Sequence, residues 1–156
     1  MFLKNKFNKY KIMIYENIIY QKEKDLDDQV KNLESENNKS KIVIWFVWTI
    51  ILFTIQHFRS DLGICYKVVF FVLAILSLSI PLYNIYSKSV SYHLGLDKFF
   101  NSDDMTYEKY LNELYILKKQ AYYNVTELLK KKVILTKISY VLAIILLLYI
   151  MYISFN

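Results

Sequence analysis

The sequence predicts an all-α membrane protein with three transmembrane helices, arranged as a hairpin plus a C-terminal span, and with long amphipathic helices in the cytoplasm. Hydrophobic residues make up 55% of the chain, giving a mean hydropathy of +0.21, and they occur in long blocks. Only two glycines and one proline are present, too few for the many turns of a β-rich fold. About 20 apolar residues at 1.5 Å rise cross a hydrocarbon core. Three blocks approach or exceed that length: Ile42–Phe58, Val68–Tyr86 and Ile134–Asn156.

Residues 1–41 are predicted to form a basic tail over residues 1–11 and then a cytoplasmic amphipathic helix near 12–38. The apolar residues of this helix recur at a spacing close to three and four, which places them on one face. They are Ile12, Tyr15, Ile19, Leu26, Val30 and Leu33. Two interpretations remain open, because such a stripe can pack on its own chain or join a coiled coil with a second copy.

Residues 42–86 are predicted to form a two-span transmembrane hairpin. Trp45 and Trp48 lie near the start of its first span, and tryptophan is enriched at membrane interfaces. The segment Ser60–Cys65 contains Gly63 and is short enough for a tight turn. The two spans should therefore run antiparallel.

Residues 87–133 are predicted as a cytoplasmic loop and a second amphipathic helix, followed by the C-terminal transmembrane helix over residues 134–156. Thr106 is the expected N-cap, with Glu108 in the first turn. No glycine or proline separates Tyr107 from Asn156, so one continuous helix is expected. Its stripe consists of Tyr107, Tyr110, Leu114, Leu117, Ala121, Val125 and Leu128.

Lysine placement predicts the orientation in the membrane. Nine lysines precede the first span, and nine lie between the second and third spans when counted through Lys137. The hairpin turn carries only Arg59 and Lys67. By the positive-inside rule, the N-terminus and both long segments should be cytoplasmic, with the turn and the C-terminus outside. The plasma (inner) membrane is the expected location.

The sequence favours neither an enzyme nor a metal protein. It has no serine–histidine–aspartate set, zinc motif or phosphate-binding loop, and Cys65 is its single cysteine. His57 and His93 are expected on opposite sides of the membrane. Lysines spread among acidic residues argue against nucleic acid as a partner. The spans contain no buried acidic or basic residue that would mark an ion path, so a pore would require a homo-oligomer.

The order of elements resembles that of a known family. The most informative segment is FFNSDDMTYEKYLNELYILKKQAYYNVTELLKKKVILTKISYVLAIILL, in which an aromatic precedes a capped helix and a polar run enters the last span. The segment SENNKSKIV before the first span matches in part, through Asn38, Lys39 and Ser40. This layout resembles the small transmembrane effectors of Pycsar (pyrimidine cyclase) anti-phage systems. The matching positions are Phe99 or Phe100, Thr106, Tyr110, Gln120, Asn124 and Lys131.

The resemblance implies an effector that responds to cyclic UMP or cyclic CMP, made by a partner cyclase, and then oligomerises and impairs the inner membrane, causing abortive infection. No cofactor is implied beyond that ligand. Local chemistry predicts the contacts: Lys131 and Lys132 for the phosphate, Gln120 and Asn124 for the pyrimidine edge, and Tyr107 and Tyr110 for stacking. The alternatives are a two-span effector of another nucleotide-signalling defence system, or a structural or adaptor membrane protein without a ligand.

Overall fold

The structure is a computed structural model that describes residues 2–56, 63–86 and 106–155, without the side chains of residues 2–8 and 155. These residues form three α-helices: α1 (Phe2–Gln56), α2 (Ile64–Tyr86) and α3 (Tyr107–Phe155). Each helix contains a stretch long and apolar enough to cross a membrane. The described part of the chain is therefore all-helical with three candidate spans, as the sequence predicts. Outside it lie most of the predicted turn, the 87–105 loop, and with them His57, His93, Phe99 and Phe100.

Helix α1 begins earlier than the sequence suggested. The expected basic tail over residues 1–11 is wrong for residues 2–11, which are helical and continuous with the rest of α1. The physical reason is the absence of any glycine or proline before Gln56, combined with lysine and leucine residues that favour helix. The start of α3 is as expected: the amide of Lys109 donates to Thr106 Oγ1 over 3.4 Å, which confirms Thr106 as the N-cap.

Contacts divide the chain into two units, and both α1 and α3 contribute to each of them. The first unit consists of Met1–Asn32 with Val90–Leu128. The second unit consists of Leu33–Ser89 with Leu129–Asn156, and it contains all of α2.

In the first unit, α1 and α3 pack as a parallel pair. Lys11 contacts Glu108, and Glu23, further along α1, contacts Lys118, further along α3. The side chains between the helices recur at a spacing close to three and four residues. Ile19, Leu111, Ala121 and Val125 are buried there, and Ile12, Tyr15, Leu26, Val30, Leu114, Leu117 and Leu128 are half-buried. Tyr107 departs from the predicted stripe because its ring is exposed.

In the second unit, α2 runs antiparallel to both α1 and α3. Near the end of α2, Asn84 contacts Ser40 and Thr136, whereas near its start the carbonyl of Tyr66 accepts a bond from Tyr149. Seven buried residues form the apolar core between the three helices. They are Val43, Val47, Ile51, Phe70, Ala74, Ala143 and Leu146.

Small residues bring α2 and α3 close together. Ala74 and Ser77 on α2, and Ser139 and Ala143 on α3, are all at most 5% exposed. The Ser77 hydroxyl donates to the carbonyl of Leu142 across the helix boundary, over 3.4 Å. Close approach of small residues is how helices gain packing energy in lipid, where burial of apolar surface drives association little.

Candidate functional site

A group of polar side chains lies at one level of the otherwise apolar second unit, and we call it the polar layer. Ser40 from α1 and Asn84 from α2 are completely buried, and Lys132 and Thr136 from α3 are each 3% exposed. Asn37, one turn before Ser40, is half-buried beside them. The polar layer is therefore built from all three helices.

The side-chain amide of Asn84 is the centre of the polar layer. Its Nδ2 lies 2.9 Å from Ser40 Oγ, 3.0 Å from Thr136 Oγ1 and 3.2 Å from the carbonyl oxygen of Lys132. The amide has two hydrogens, so it shares them among these three acceptors. One side chain thus joins α2 to α1 and to α3.

The Lys132 ammonium caps the C-terminal end of α2. Its Nζ donates to the backbone carbonyl of Asn84 at 2.5 Å and to Asn37 Oδ1 at 2.8 Å. Asn84 lies within the last four residues of α2, whose carbonyls have no partner inside the helix, and a cation there also opposes the helix dipole. Burial lowers the pKa of Lys132, because desolvation disfavours the charged form.

The chemistry of the polar layer suits a junction between helices. It contains hydroxyls, amides and one ammonium, and the described residues hold no group of three or more metal-ligating side chains. Buried polar contacts of this type fix the register of helices, while an apolar layer would tolerate sliding. Withdrawing Asn84 would remove these polar contacts of α2 with α1 and α3 and leave the apolar core between the helices.

Polar contacts in the first unit hold α1 to α3. Lys118 is 7% exposed and lies 2.7 Å from Glu23. Lys11 pairs with Glu108, and that hydrogen bond raises the pKa of Lys11. The Tyr107 hydroxyl donates to Glu16 over 2.7 Å, which raises the pKa of Tyr107.

The structure separates the residues predicted as nucleotide contacts into groups. In the first unit, the rings of Tyr107 and Tyr110 stack with centroids 6.3 Å apart. Gln120 and Asn124 are exposed on the same helix, and a separation of 13 residues from Tyr107 to Gln120 corresponds to about 20 Å of helix. The tyrosine pair and the amide pair therefore belong to different surfaces of this unit.

The two predicted phosphate ligands belong to the second unit, where they differ. Lys131 is exposed and has no ion pair among the described residues. Lys132 is buried and already bonded to Asn37 and Asn84. Only Lys131 presents its ammonium to an incoming ligand.

A groove of about 350 Å³ lies beside the start of α3 in the first unit. Its lining combines an aromatic ring, a hydroxyl, an amide and both signs of charge: Tyr15, Thr106, Glu108, Lys109 and Asn112. Glu108 pairs with Lys11, and Lys109 supplies a cation to the lining of the groove.

Sequence reasoning missed most of the polar layer. By local pattern, Asn84 belongs to the apolar block Val68–Tyr86 and Asn37 to the amphipathic helix near 12–38. One signal was available: Ser40, Asn84 and Thr136 are polar residues within a few positions of the ends of apolar blocks, and a buried amide requires partners. Pairing them across helices requires the tertiary fold.

Comparisons with known proteins identify no relative. No family model matches the chain, and no curated protein and no solved structure matches it.

Proposed function

We propose that this chain is a multi-pass membrane effector that changes its helix packing in response to a cyclic pyrimidine mononucleotide and then impairs the membrane. The ligand class comes from the resemblance of the layout to Pycsar effectors, and with it come the partner cyclase, the homo-oligomer and the inner-membrane location with a cytoplasmic N-terminus. The proposed function involves no catalysis.

The polar layer is the observation that carries this proposal. A buried ammonium is not required to hold helices together, since apolar residues of similar volume often serve equally well. A polar junction can instead be exchanged for another set of partners, because its hydrogen bonds in a membrane contribute only about 0.6 kcal/mol each on average. The packing of α2 against Ser40 and Thr136 is thus a suitable switching element.

Helix continuity supports the transmission of a signal. Each of α1 and α3 is unbroken from the first unit into the second. A ligand that binds the first unit more tightly in one helix arrangement shifts the population toward that arrangement. Moving the ratio of states from 1:99 to 99:1 requires about 5.5 kcal/mol of differential affinity, which an oligomer can divide among its subunits.

We place the ligand in the first unit, on one of two surfaces. One is the groove with Tyr15, Lys109 and Asn112, beside the stacked Tyr107 and Tyr110. The other is the exposed amide pair of Gln120 and Asn124.

Titration of cyclic UMP and cyclic CMP into the full chain in lipid nanodiscs tests the proposal. Saturable binding should be lost in Asn112→Ala if the groove is used, and in Asn124→Ala if the amide pair is used. The matched control is Asn38→Ala, an exposed asparagine of the second unit. Absence of binding to either nucleotide by the folded wild-type protein would favour a structural or adaptor role instead.

A further inference from the structure

Among the described residues of the second unit, the charges are concentrated at one end. Its described residues include only two acids, Glu34 and Glu36. Six of its seven described lysines lie at or near the polar layer: Lys39, Lys41, Lys130, Lys131, Lys132 and Lys137. The seventh, Lys67, lies near the opposite end, next to the Tyr66 carbonyl that accepts a bond from Tyr149.

Three of these lysines keep an exposed ammonium that no described acid neutralises. Glu36 is taken by Lys39 at 2.5 Å, and this hydrogen bond raises the pKa of Lys39. Lys132 is buried in the polar layer. Lys130 already has an interaction of its own. The other three, which we call the lysine collar, are Lys41, Lys131 and Lys137.

The lysine collar borders directly on exposed apolar surface. Next to Lys41 on α1, Ile42 is 62% exposed, and Trp45, one turn further, is 75% exposed. On α3, Ile134 and Ile138 flank Lys137 and are 57% and 42% exposed. Lysine stems lie along apolar surface of this kind while their ammonium groups reach the lipid headgroups.

We propose that the lysine collar binds the phosphate groups of anionic phospholipids, so that these lipids are enriched around this end of the second unit. Each ammonium is a compact cation on a flexible stem, suited to a diffuse phosphate layer rather than to one fixed ligand geometry. Each lysine near an anionic membrane surface contributes about fivefold in binding. The inference rests on the proposed membrane insertion, and it adds a lipid preference to it.

The two tryptophans of the chain provide a local reporter. Trp45 and Trp48 are both exposed on α1, one to two turns beyond Lys41. Bromine atoms on lipid acyl chains quench tryptophan fluorescence by contact. The full-length protein is reconstituted into vesicles of phosphatidylcholine with a minor fraction of phosphatidylglycerol. Matched vesicle sets carry the bromine on one lipid or on the other.

Per mole of brominated lipid, phosphatidylglycerol should quench the tryptophan fluorescence several-fold more than phosphatidylcholine does. The triple variant Lys41→Gln, Lys131→Gln and Lys137→Gln should equalise the two, whereas the control Lys67→Gln should keep the preference. High salt should reduce the preference of the wild-type protein, since exposed charges are screened. This salt arm needs no variant, so the test stands even where the triple variant fails to fold.

The outcomes separate this inference from the proposed function. Equal quenching by both lipids in the wild-type protein would overturn the lysine collar while leaving insertion intact. Quenching by neither lipid would contradict membrane insertion itself, and the collar with it. Loss of the preference with inorganic phosphate, but not with chloride at equal ionic strength, would show that the lysines bind free phosphate rather than lipid.

Discussion

Replacing Asn84 by alanine should destabilise the second unit more than any change at an exposed polar position. The amide donates to Ser40, Thr136 and the Lys132 carbonyl, and its two hydrogens make at most two full bonds at once. At about 0.6 to 1.7 kcal/mol per bond between helices in a bilayer, their loss amounts to roughly 1 to 3 kcal/mol. The small cavity left by the side chain adds to that loss.

Titration of the purified protein with a denaturing detergent in mixed micelles, followed by helical circular dichroism, measures this loss. The control Asn38→Ala removes the same side chain from an exposed position and should shift the unfolding free energy by less than about 0.5 kcal/mol. The double variant with Ser40→Ala should show coupling, because the two residues share a 2.9 Å hydrogen bond. Equal effects of Asn84→Ala and Asn38→Ala would refute the account of the polar layer.

Three further predictions concern topology, protonation and the first unit. Cys65 is exposed and should react with a membrane-impermeant maleimide in whole cells; labelling only in inside-out vesicles would reverse the predicted orientation. Burial lowers the pKa of Lys132, so the unfolded state holds its proton to higher pH than the folded state does. The free energy of unfolding of the wild-type protein, relative to that of Lys132→Met, should therefore increase as the pH rises toward 10.5. A difference in detergent unfolding that stays constant with pH would contradict this. Lys118→Glu should lower amide-exchange protection along α1 by about fivefold or more, and adding Glu23→Lys should restore part of it; no restoration would mean that the 2.7 Å pair does not hold α1 to α3.

The sequence was sufficient for the parts of the fold that depend on local pattern. Long apolar blocks and the lack of breakers predicted the three candidate spans, and the three–four spacing predicted which face of α1 turns inward. Thr106 was recognisable as a cap because its type and position follow a local rule. The start of α1 was missed because a run rich in lysine and asparagine resembles a tail, although it contains no breaker.

The polar layer depends on contacts between residues far apart in the chain. Ser40, Asn84 and Thr136 are separated by 44 and 52 positions, and no local periodicity connects them. For the same reason, local pattern predicts the same role, phosphate binding, for Lys131 and Lys132. Helical rotation of 100° between neighbours places one of them in the interior and the other outside. Tyr107 and Gln120 are both predicted nucleotide contacts but lie about 20 Å apart along α3, since a helix rises 1.5 Å per residue.

Release of ions from sealed vesicles tests the central claim most directly. The full-length protein is reconstituted into vesicles loaded with a potassium-sensitive dye, and cyclic UMP, cyclic CMP or the linear nucleotide 5′-UMP is added. The account predicts that a cyclic pyrimidine mononucleotide accelerates ion release, that 5′-UMP does not, and that vesicles without protein stay sealed. Ion release that is the same with and without either cyclic nucleotide, from vesicles shown to contain inserted protein, would contradict it.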